Sequence, residues 1–590
     1  MDLRLAASST RTWRGGRVDE APGEGTGLAR ALERGGPGSL AALLADDVER
    51  VELEDAEVCV SVERSLYGLA RVRTRWRSGE VADQDIPLEV PVTDLAEALH
   101  DATRAIHYRE GAWFEGAPLG PAALVVPAIF PETLGSGAFR AVHGVRAAYA
   151  AGAMAGGIAG VELVSALGGA GLLGFFGSGG LPIEAVEKAL GELSTRCAGL
   201  PYGCNLLHNP EEPAVEEKTV DLLLAHGVHD VDASAFMQLT PAVVRYRLSG
   251  IHEDGGSIVV PNRLAAKVSR PEVAEPFLRP APEKLVADLV AAGKLSEAQA
   301  ALARRVPMAD DITAEADSGG HTDRRPLPVL IPIVRRLADR VAAELGYANR
   351  PRVGAAGGIG DPWSLAAALQ LGADYVMTGS VNQATPEAAT SVAVKQMLLS
   401  AAFSDVTEGP APDMFEIGAQ VQVLSRGTMY AQRAARLYEL YKAHDGLDAI
   451  PDADRQKIEK QIFQRPLAEV WAETERYWQA RDRREVERAA REPRHRMALC
   501  FRWYLGMSSR WARMGEESRK RDYQVWCGPA MGLFNDWVRG TWLEPLESRG
   551  VVTVAHALLR GACAAQRVQV VRAAGLPLPV AASLVLPSRG

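Results

Sequence analysis

Residues 351–380 read PRVGAAGGIGDPWSLAAALQLGADYVMTGS. A short apolar run, RVGAAGG (352–358), ends in a Gly-Gly turn. Pro362 stands where a helix would begin, and a second apolar run, YVMTGS (375–380), ends in Gly379-Ser380. Strand, glycine turn, helix and strand in that order form the repeating unit of a parallel α/β fold. Working outward, the same alternation starts near Arg146 and supplies six more strands: AAYAAGAM (147–154), GLLGFFG (171–177), YGCNLLH (202–208), DVDASAF (230–236), NRLAAKVS (262–269) and DDITAEA (310–316). Segments 182–193 and 212–225 have helical apolar spacing. Eight strand–helix units over roughly 250 residues have the size of a (β/α)8 TIM barrel, so the class is α/β with the barrel at 141–395.

The flanks differ in character. Residues 1–35 are rich in Gly, Arg, Glu and Ser and are expected to be a disordered tail. Residues 36–140 predict an α+β extension of unassigned role. It has strand-like VCVSVE (58–63) and ARVRTRW (70–76), an amphipathic helix over 92–107 and a proline-punctuated connector over 118–131. Residues 396–572, rich in Arg, Glu, Trp and Tyr with helical periodicity, predict an all-helical domain, and 573–590 a tail. No short-period repeat runs through the chain.

Composition narrows the function classes. The 590 residues carry a net charge of -9, which argues against a broad nucleic-acid-binding surface. None of the six cysteines forms a C-x-x-C pair or a zinc-ligand spacing, so no metal site is expected, and free thiols in a reducing cytoplasm are the simplest reading. The N-terminus has no apolar signal-peptide core, and the longest apolar stretch, 147–181, is broken by glycines and Glu162. A cytoplasmic protein without a membrane span is expected. The sequence leaves homo-oligomerisation open.

In a TIM barrel the chemistry sits at the C-terminal strand ends. The seventh and eighth strands end in Gly357-Gly358 and Gly379-Ser380, where backbone N–H groups can approach an anion and Ser380 adds a hydroxyl. The helix at Pro362 could aim its N-terminus at the same place. A single glycine pair is often only a turn, but two on successive strands point to a phosphate, from a substrate or from FMN. No G-x-G-x-x-G dinucleotide fingerprint is present. The sixth strand runs into Asp317-Ser318-Gly319-Gly320-His321, which puts an acid–base group at the mouth. The bland alternative there is a histidine satisfied by local bonds, with Asp323 as the candidate partner. Asn205, at the end of the third strand, offers a donor and an acceptor. Lys267, at the end of the fifth, offers a cation, with a structural salt bridge as a serious competitor. Asp310-Asp311 open the sixth strand on the face that serves stability. The basic segment 481–496 reads first as a solvated helix with Glu–Arg pairing, and second as a dock for an acidic partner.

The motifs resemble one family. Ala153-Met154-Ala155, GLLGFFGSGGL, YGCNLLHNPEEP, DASAFMQLTP, AAKVSRPEVA, ADDITAEADSGGHTDRRPL, VGAAGGIGDP and TGSVNQA are similar to the PfaD family, the trans-acting enoyl reductases of polyunsaturated fatty acid and polyketide synthases. APDMFEIGAQVQVLSRGTM, RWYLGMSSRWA and DYQVWCGPAMGLFNDW extend the resemblance beyond the barrel, over about 118–572. The barrel itself resembles the nitronate monooxygenase and flavin-dependent enoyl reductase superfamily, which implies FMN. By motif, Gly357, Gly358, Gly379 and Ser380 would hold its phosphate. Ala153, Met154, Asn205 and Lys267 would lie near its ring, with Asp317, Ser318, Gly319 and Gly320 in the adjoining loop. His321 matches the histidine of the superfamily's G-G-H motif. Asp317 stands where relatives often carry another polar or acidic residue, and Cys204 where they commonly carry a larger apolar one.

The resemblance implies reduction of the 2,3-double bond of enoyl thioesters on acyl carrier protein domains, with electrons passing from NADPH, or NADH, by way of FMN. Two other readings stand beside it: a nitronate-monooxygenase-like oxidase with His321 as base, and a non-catalytic synthase scaffold.

Overall fold

The computed structural model describes residues 2–6, 50–54, 58–64, 69–76, 79, 81–87 and 90–589, less 110, 117–121 and 209–211. The chain forms two compact units, one of Met1–Phe130 with Cys563–Val585, the other of Pro131–Ala562 with Leu586–Gly590.

The larger unit is built on a closed barrel of eight parallel strands: β1 (Tyr149–Ala151), β2 (Leu173–Phe176), β3 (Gly203–Leu207), β4 (Asp230–Ser234), β5 (Arg263–Val268), β6 (Asp311–Glu315), β7 (Arg352–Ala356) and β8 (Tyr375–Thr378). Each lies within a span expected from the sequence. Pairing of β1 with β8, Tyr149 opposite Val376, closes the ring and removes every free edge. Helices Ile183–Arg196 and Pro213–Ala225 fall where the apolar spacing put them, and Pro362–Gln370 begins at the expected proline. Pro362 occupies the first helical turn and Asp361 caps it, accepting from Ser364 N–H at 2.8 Å.

Aromatic side chains fill the barrel where its strands carry glycine. A Cβ on Gly354 would enter the Tyr375 ring, and one on Gly203 would meet the Phe175 ring at 2.5 Å. Tyr375 stacks on Phe139 at 4.3 Å between centroids, and its hydroxyl bonds Thr313 Oγ1 at 2.5 Å. Below this layer a buried ionic cluster plugs the N-terminal mouth. His143 bonds Asp230 through Nδ1 at 2.6 Å and Asp311 through Nε2 at 2.9 Å. Arg263 donates to Asp230, and Arg352 donates to Asp311. Asp310 pairs with Arg247 at 2.5 Å and accepts from Leu264 N–H. Asp310 and Asp311 therefore hold the floor of the barrel, as their strand-start position implied.

The C-terminal region is helical, with Tyr430–Ala443, Leu467–Arg481, Pro493–Met514 and Ala530–Val538 among its helices. It is not all helical, which corrects the expectation. It opens with an antiparallel hairpin, β9 (Val406–Pro410) and β10 (Gln420–Leu424), and β10 pairs with a two-residue strand at Gly320–His321. A strand whose partner lies about a hundred residues away leaves no signal in local periodicity.

In the smaller unit, Asp2–Ala6, Arg50–Glu54, Val58–Arg64, Leu69–Trp76 and Val81–Pro87 form an antiparallel sheet in that order. Apart from Asp2–Ala6, the tail expected over 1–35 lies outside the described residues. A second antiparallel sheet orders Val90–Pro91, Ala112–Glu115, Ile106–Arg109 and Leu124–Val126. The helix expected over 92–107 is only Leu95–His100. Asp101 accepts from Thr103 N–H and Oγ1, a local turn that competes with the next helical turn, and Ile106 then begins a strand. Arg567, fully buried, donates to the carbonyls of Ala98, Arg104 and Pro127. No described helix is long and apolar enough to cross a membrane.

Candidate active site

The C-terminal strand ends surround a cavity of about 650 Å³. Ala153, Met154, Asn205, Lys267, Asp317, Ser318, Gly319, His321, Gly357, Gly358, Gly379 and Ser380 all line it. Gly320 is the exception among the expected residues. It is buried, with φ +82°, and a Cβ there would meet the Trp526 ring at 3.0 Å, so it serves close packing.

At one end of the cavity the chain turns back through Gly357 (φ +83°) and Gly358 (φ +71°), both in the left-handed region. A Cβ on Gly358 or on Gly379 would meet nothing within 4 Å. The missing side chains leave room for a ligand to reach the backbone. Gly528 N–H donates to Ser380 Oγ at 3.0 Å, which leaves the Ser380 hydroxyl proton free to donate to a ligand. The helix at Pro362 contributes less than expected. Its Ser364 N–H is spent on Asp361, and a Cβ on Gly360 would collide with the Ala530 carbonyl. The glycine turns, rather than the helix end, form the open cradle, and they fit a phosphate.

Polar groups converge on the strand ends across β3 to β6. Lys267 Nζ lies 3.6 Å from Glu315 Oε1, so the salt bridge that competed with a ligand role is present. Burial disfavours the Lys267 charge, yet Glu315 and Asp232 outweigh it and hold the ammonium above its ordinary pKa. Asp232 is fully buried, and its Oδ1 has no hydrogen-bond partner. Burial pushes its pKa up to about 6, with Lys267 pulling against. Asn205 donates to the Asp232 carbonyl and to Ser234 Oγ, each at 3.0 Å, which leaves its amide oxygen as the group open to a ligand. Ser318 Oγ donates to Glu315 at 2.9 Å.

His321 does not bond Asp323, which instead accepts from Ser269 and Arg270. Its Nε2 pairs with Asp413 Oδ2 at 3.0 Å, and its ring meets Trp526 edge-on at 6.0 Å. Burial works against an imidazolium here. The hydrogen bond and charge of Asp413, with the Glu315 charge beyond, prevail and raise the His321 pKa. Asp413 is lowered in turn: burial opposes its charge, and His321 more than offsets it. Asp317 and the Ser318 carbonyl both accept from Gln422 on β10, at 2.8 and 2.7 Å.

Asp413, Gln422 and Trp526 were not singled out from the sequence as site residues. All three come from outside the barrel, in segments whose only sequence signal is the family resemblance. Trp526 lies in a stretch that interlocks with the barrel. Cβ atoms on Gly319 and Gly528 would each come within 2.8 Å of the opposing backbone, and Gln383 donates to the Trp526 carbonyl.

Residues 142–409 match the nitronate monooxygenase family, and residues 444–523 match the inserted helical domain of [acyl-carrier-protein] S-malonyltransferase. The solved enoyl reductase domain of MlnA, from the macrolactin biosynthesis cluster of Bacillus amyloliquefaciens, is 37% identical. It aligns over 74% of this chain and 99% of its own, with a TM-score of 0.71. The chain belongs to the PfaD family. Its barrel is of the flavin-dependent oxidoreductase type. Among other relatives, a polyunsaturated fatty acid synthase component of Thraustochytrium sp. is 47% identical over 77% of this PfaD-family chain, which spans 31% of that component. The polyketide biosynthesis protein PksE of Bacillus subtilis is 44% identical over 73% of the chain, which spans 56% of PksE.

Proposed function

We propose that the chain is an FMN-dependent enoyl reductase. It would use NADPH, or NADH, to saturate the 2,3-double bond of enoyl thioesters held on acyl carrier protein domains of a polyunsaturated fatty acid or polyketide synthase. The single observation that carries the reading is the gathering of an open glycine cradle, Lys267 and a half-buried His321–Asp413 pair around one cavity at the C-terminal strand ends.

FMN, when bound, supplies hydride transfer from the nicotinamide to the β-carbon of the enoyl thioester. The residues supply the rest. Backbone N–H groups at Gly357, Gly358 and Gly379, with the Ser380 hydroxyl, would hold the phosphate. The Asn205 amide oxygen and the Lys267 ammonium would lie near the ring, and Glu315 pairs with Lys267. Addition of hydride at the β-carbon leaves an electron pair on the α-carbon that must take a proton. His321 holds one: with Nε2 turned to Asp413, Nδ1 has no partner among the described residues and is the atom that delivers it. Trp526 and Met414 line the same cavity and exclude water from the reacting carbons.

The match of 142–409 to nitronate monooxygenase favours one competing reading, an oxidase in which His321 takes a proton from an acidic carbon. Anaerobic stopped-flow separates the two. Bleaching of the flavin band by NADPH, with recovery when a crotonyl-loaded carrier protein is added, is expected of the reductase. A band that neither NADPH nor NADH bleaches refutes it in favour of the oxidase, and protein unable to take up flavin would return the scaffold reading.

A further inference from the structure

Two large apolar side chains that line the cavity are also largely exposed to solvent. Ile417 is 78% exposed and Met237 is 65% exposed. Both line the same cavity as His321. Neither is loose. Ile417 sits in the connection between β9 and β10, whose flanking residues make specific contacts. Phe415 is fully buried against Tyr438 and Tyr441, Glu416 pairs with Arg502 at 3.3 Å, and Asp413 holds His321. Gly418 (φ +76°) packs so close that a Cβ would collide with the Tyr438 hydroxyl. Met237 follows Ala235, a non-glycine residue held at φ +62°. That turn sends Phe236 inward, against His208 at 5.1 Å and Phe277 at 6.1 Å, and leaves the next side chain outside. Strained backbone of this kind persists where the surroundings enforce it, and it clusters at functional sites.

We infer that Met237 and Ile417 form an apolar lip that receives the hydrocarbon tail of the acyl thioester and makes the enzyme prefer longer chains. The inference rests on the enoyl reductase reading above. A thioester with its reacting carbons beside His321 would lay its remaining chain along a cavity whose lining includes apolar Leu207, Phe236 and Val273 together with Met237 and Ile417. Covering two exposed apolar side chains with methylenes removes apolar surface on both partners. Methionine, unbranched and polarizable, suits a surface that must fit tails of varied shape.

The test compares chain lengths on pantetheine thioesters, which remove any contribution from a carrier protein. The wild type is expected to show kcat/KM for a 2-decenoyl thioester roughly tenfold or more above that for a crotonyl thioester, on the basis of about fourfold per buried methylene. The Met237→Ser/Ile417→Ser double variant should bring the two within about threefold, and Met237→Leu/Ile417→Val should restore the preference. Equal losses on both lengths, or an unchanged ratio, would overturn the lip. Calorimetric binding of saturated decanoyl- and butyryl-pantetheine tests the lip without turnover. A wild type that binds both alike overturns it. A wild type that binds the long chain selectively but reduces no enoyl thioester keeps the lip and refutes the activity instead.

Discussion

His143 lies beneath the barrel between two buried aspartates, and its proton should be readable as stability. The imidazole pKa is raised from 6.5 to about 9: burial opposes the charge, and Asp311 and Asp230 outweigh it. The folded protein therefore keeps a proton that the unfolded chain sheds above pH 6.5. The stabilisation is complete below that pH and is lost as pH rises through 9. A change from 6.5 to about 9, at roughly 1.36 kcal/mol per unit, corresponds to about 3 kcal/mol. The perturbation is His143→Gln, which keeps a polar side chain while Arg263 and Arg352 remain to pair the carboxylates. Urea unfolding of wild type and variant would be followed by tryptophan fluorescence at pH 6.5, 7.5, 8.5 and 9.5. Other titrating groups cancel in the difference. The gap between the two proteins should be about 3 kcal/mol at pH 6.5 and close toward pH 9.5. A gap that stays constant across the range would refute the assignment of the proton to His143.

Three further outcomes concern the site. Asp413→Asn removes the main group that raises the His321 pKa, so the fall in kcat with rising pH should begin at lower pH than in the wild type; a pH–rate profile that does not move would detach Asp413 from catalysis. His321→Ala should keep flavin and its bleaching by NADPH but slow enoyl thioester reduction by roughly 10²–10⁴-fold, and unchanged turnover removes His321 from the proton step. Gly358→Val places a β-branched residue at φ +71° and fills the open cradle, so purified protein should carry little flavin by absorbance ratio; full occupancy would show that the phosphate binds elsewhere.

The barrel was legible because its signals are local. Each strand is a short apolar run, each run is followed by helical spacing, and Gly357-Gly358 and Gly379-Ser380 mark their turns in the chain itself. Asn205, Lys267 and His321 were singled out by position, as residues at strand ends, and all three line the cavity, although β3 runs on past Asn205 to Leu207. What stayed hidden depends on distant partners. The hairpin 406–424 is made a sheet by Gly320–His321, and Asp413 gains its role only because that pairing sets it against the imidazole. Asp323 was the nearer candidate in sequence, but Arg270 and Ser269 claim it. The helix over 92–107 was overestimated because apolar spacing does not register a side chain, Asp101, that closes a turn on itself.

The paired glycines Gly319 and Gly528 bear on where this chain can be divided without dismantling its cavity. Their backbones meet too closely for any side chain to intervene, and the same stretch delivers a hydrogen bond to Ser380 and the ring of Trp526. A graft cut where the eight-stranded ring ends would carry the glycine cradle but leave behind Asp413, Gln422 and Trp526. The smallest transferable cassette therefore runs at least through the helix Ala530–Val538, and a chimaera should place its seam beyond that helix.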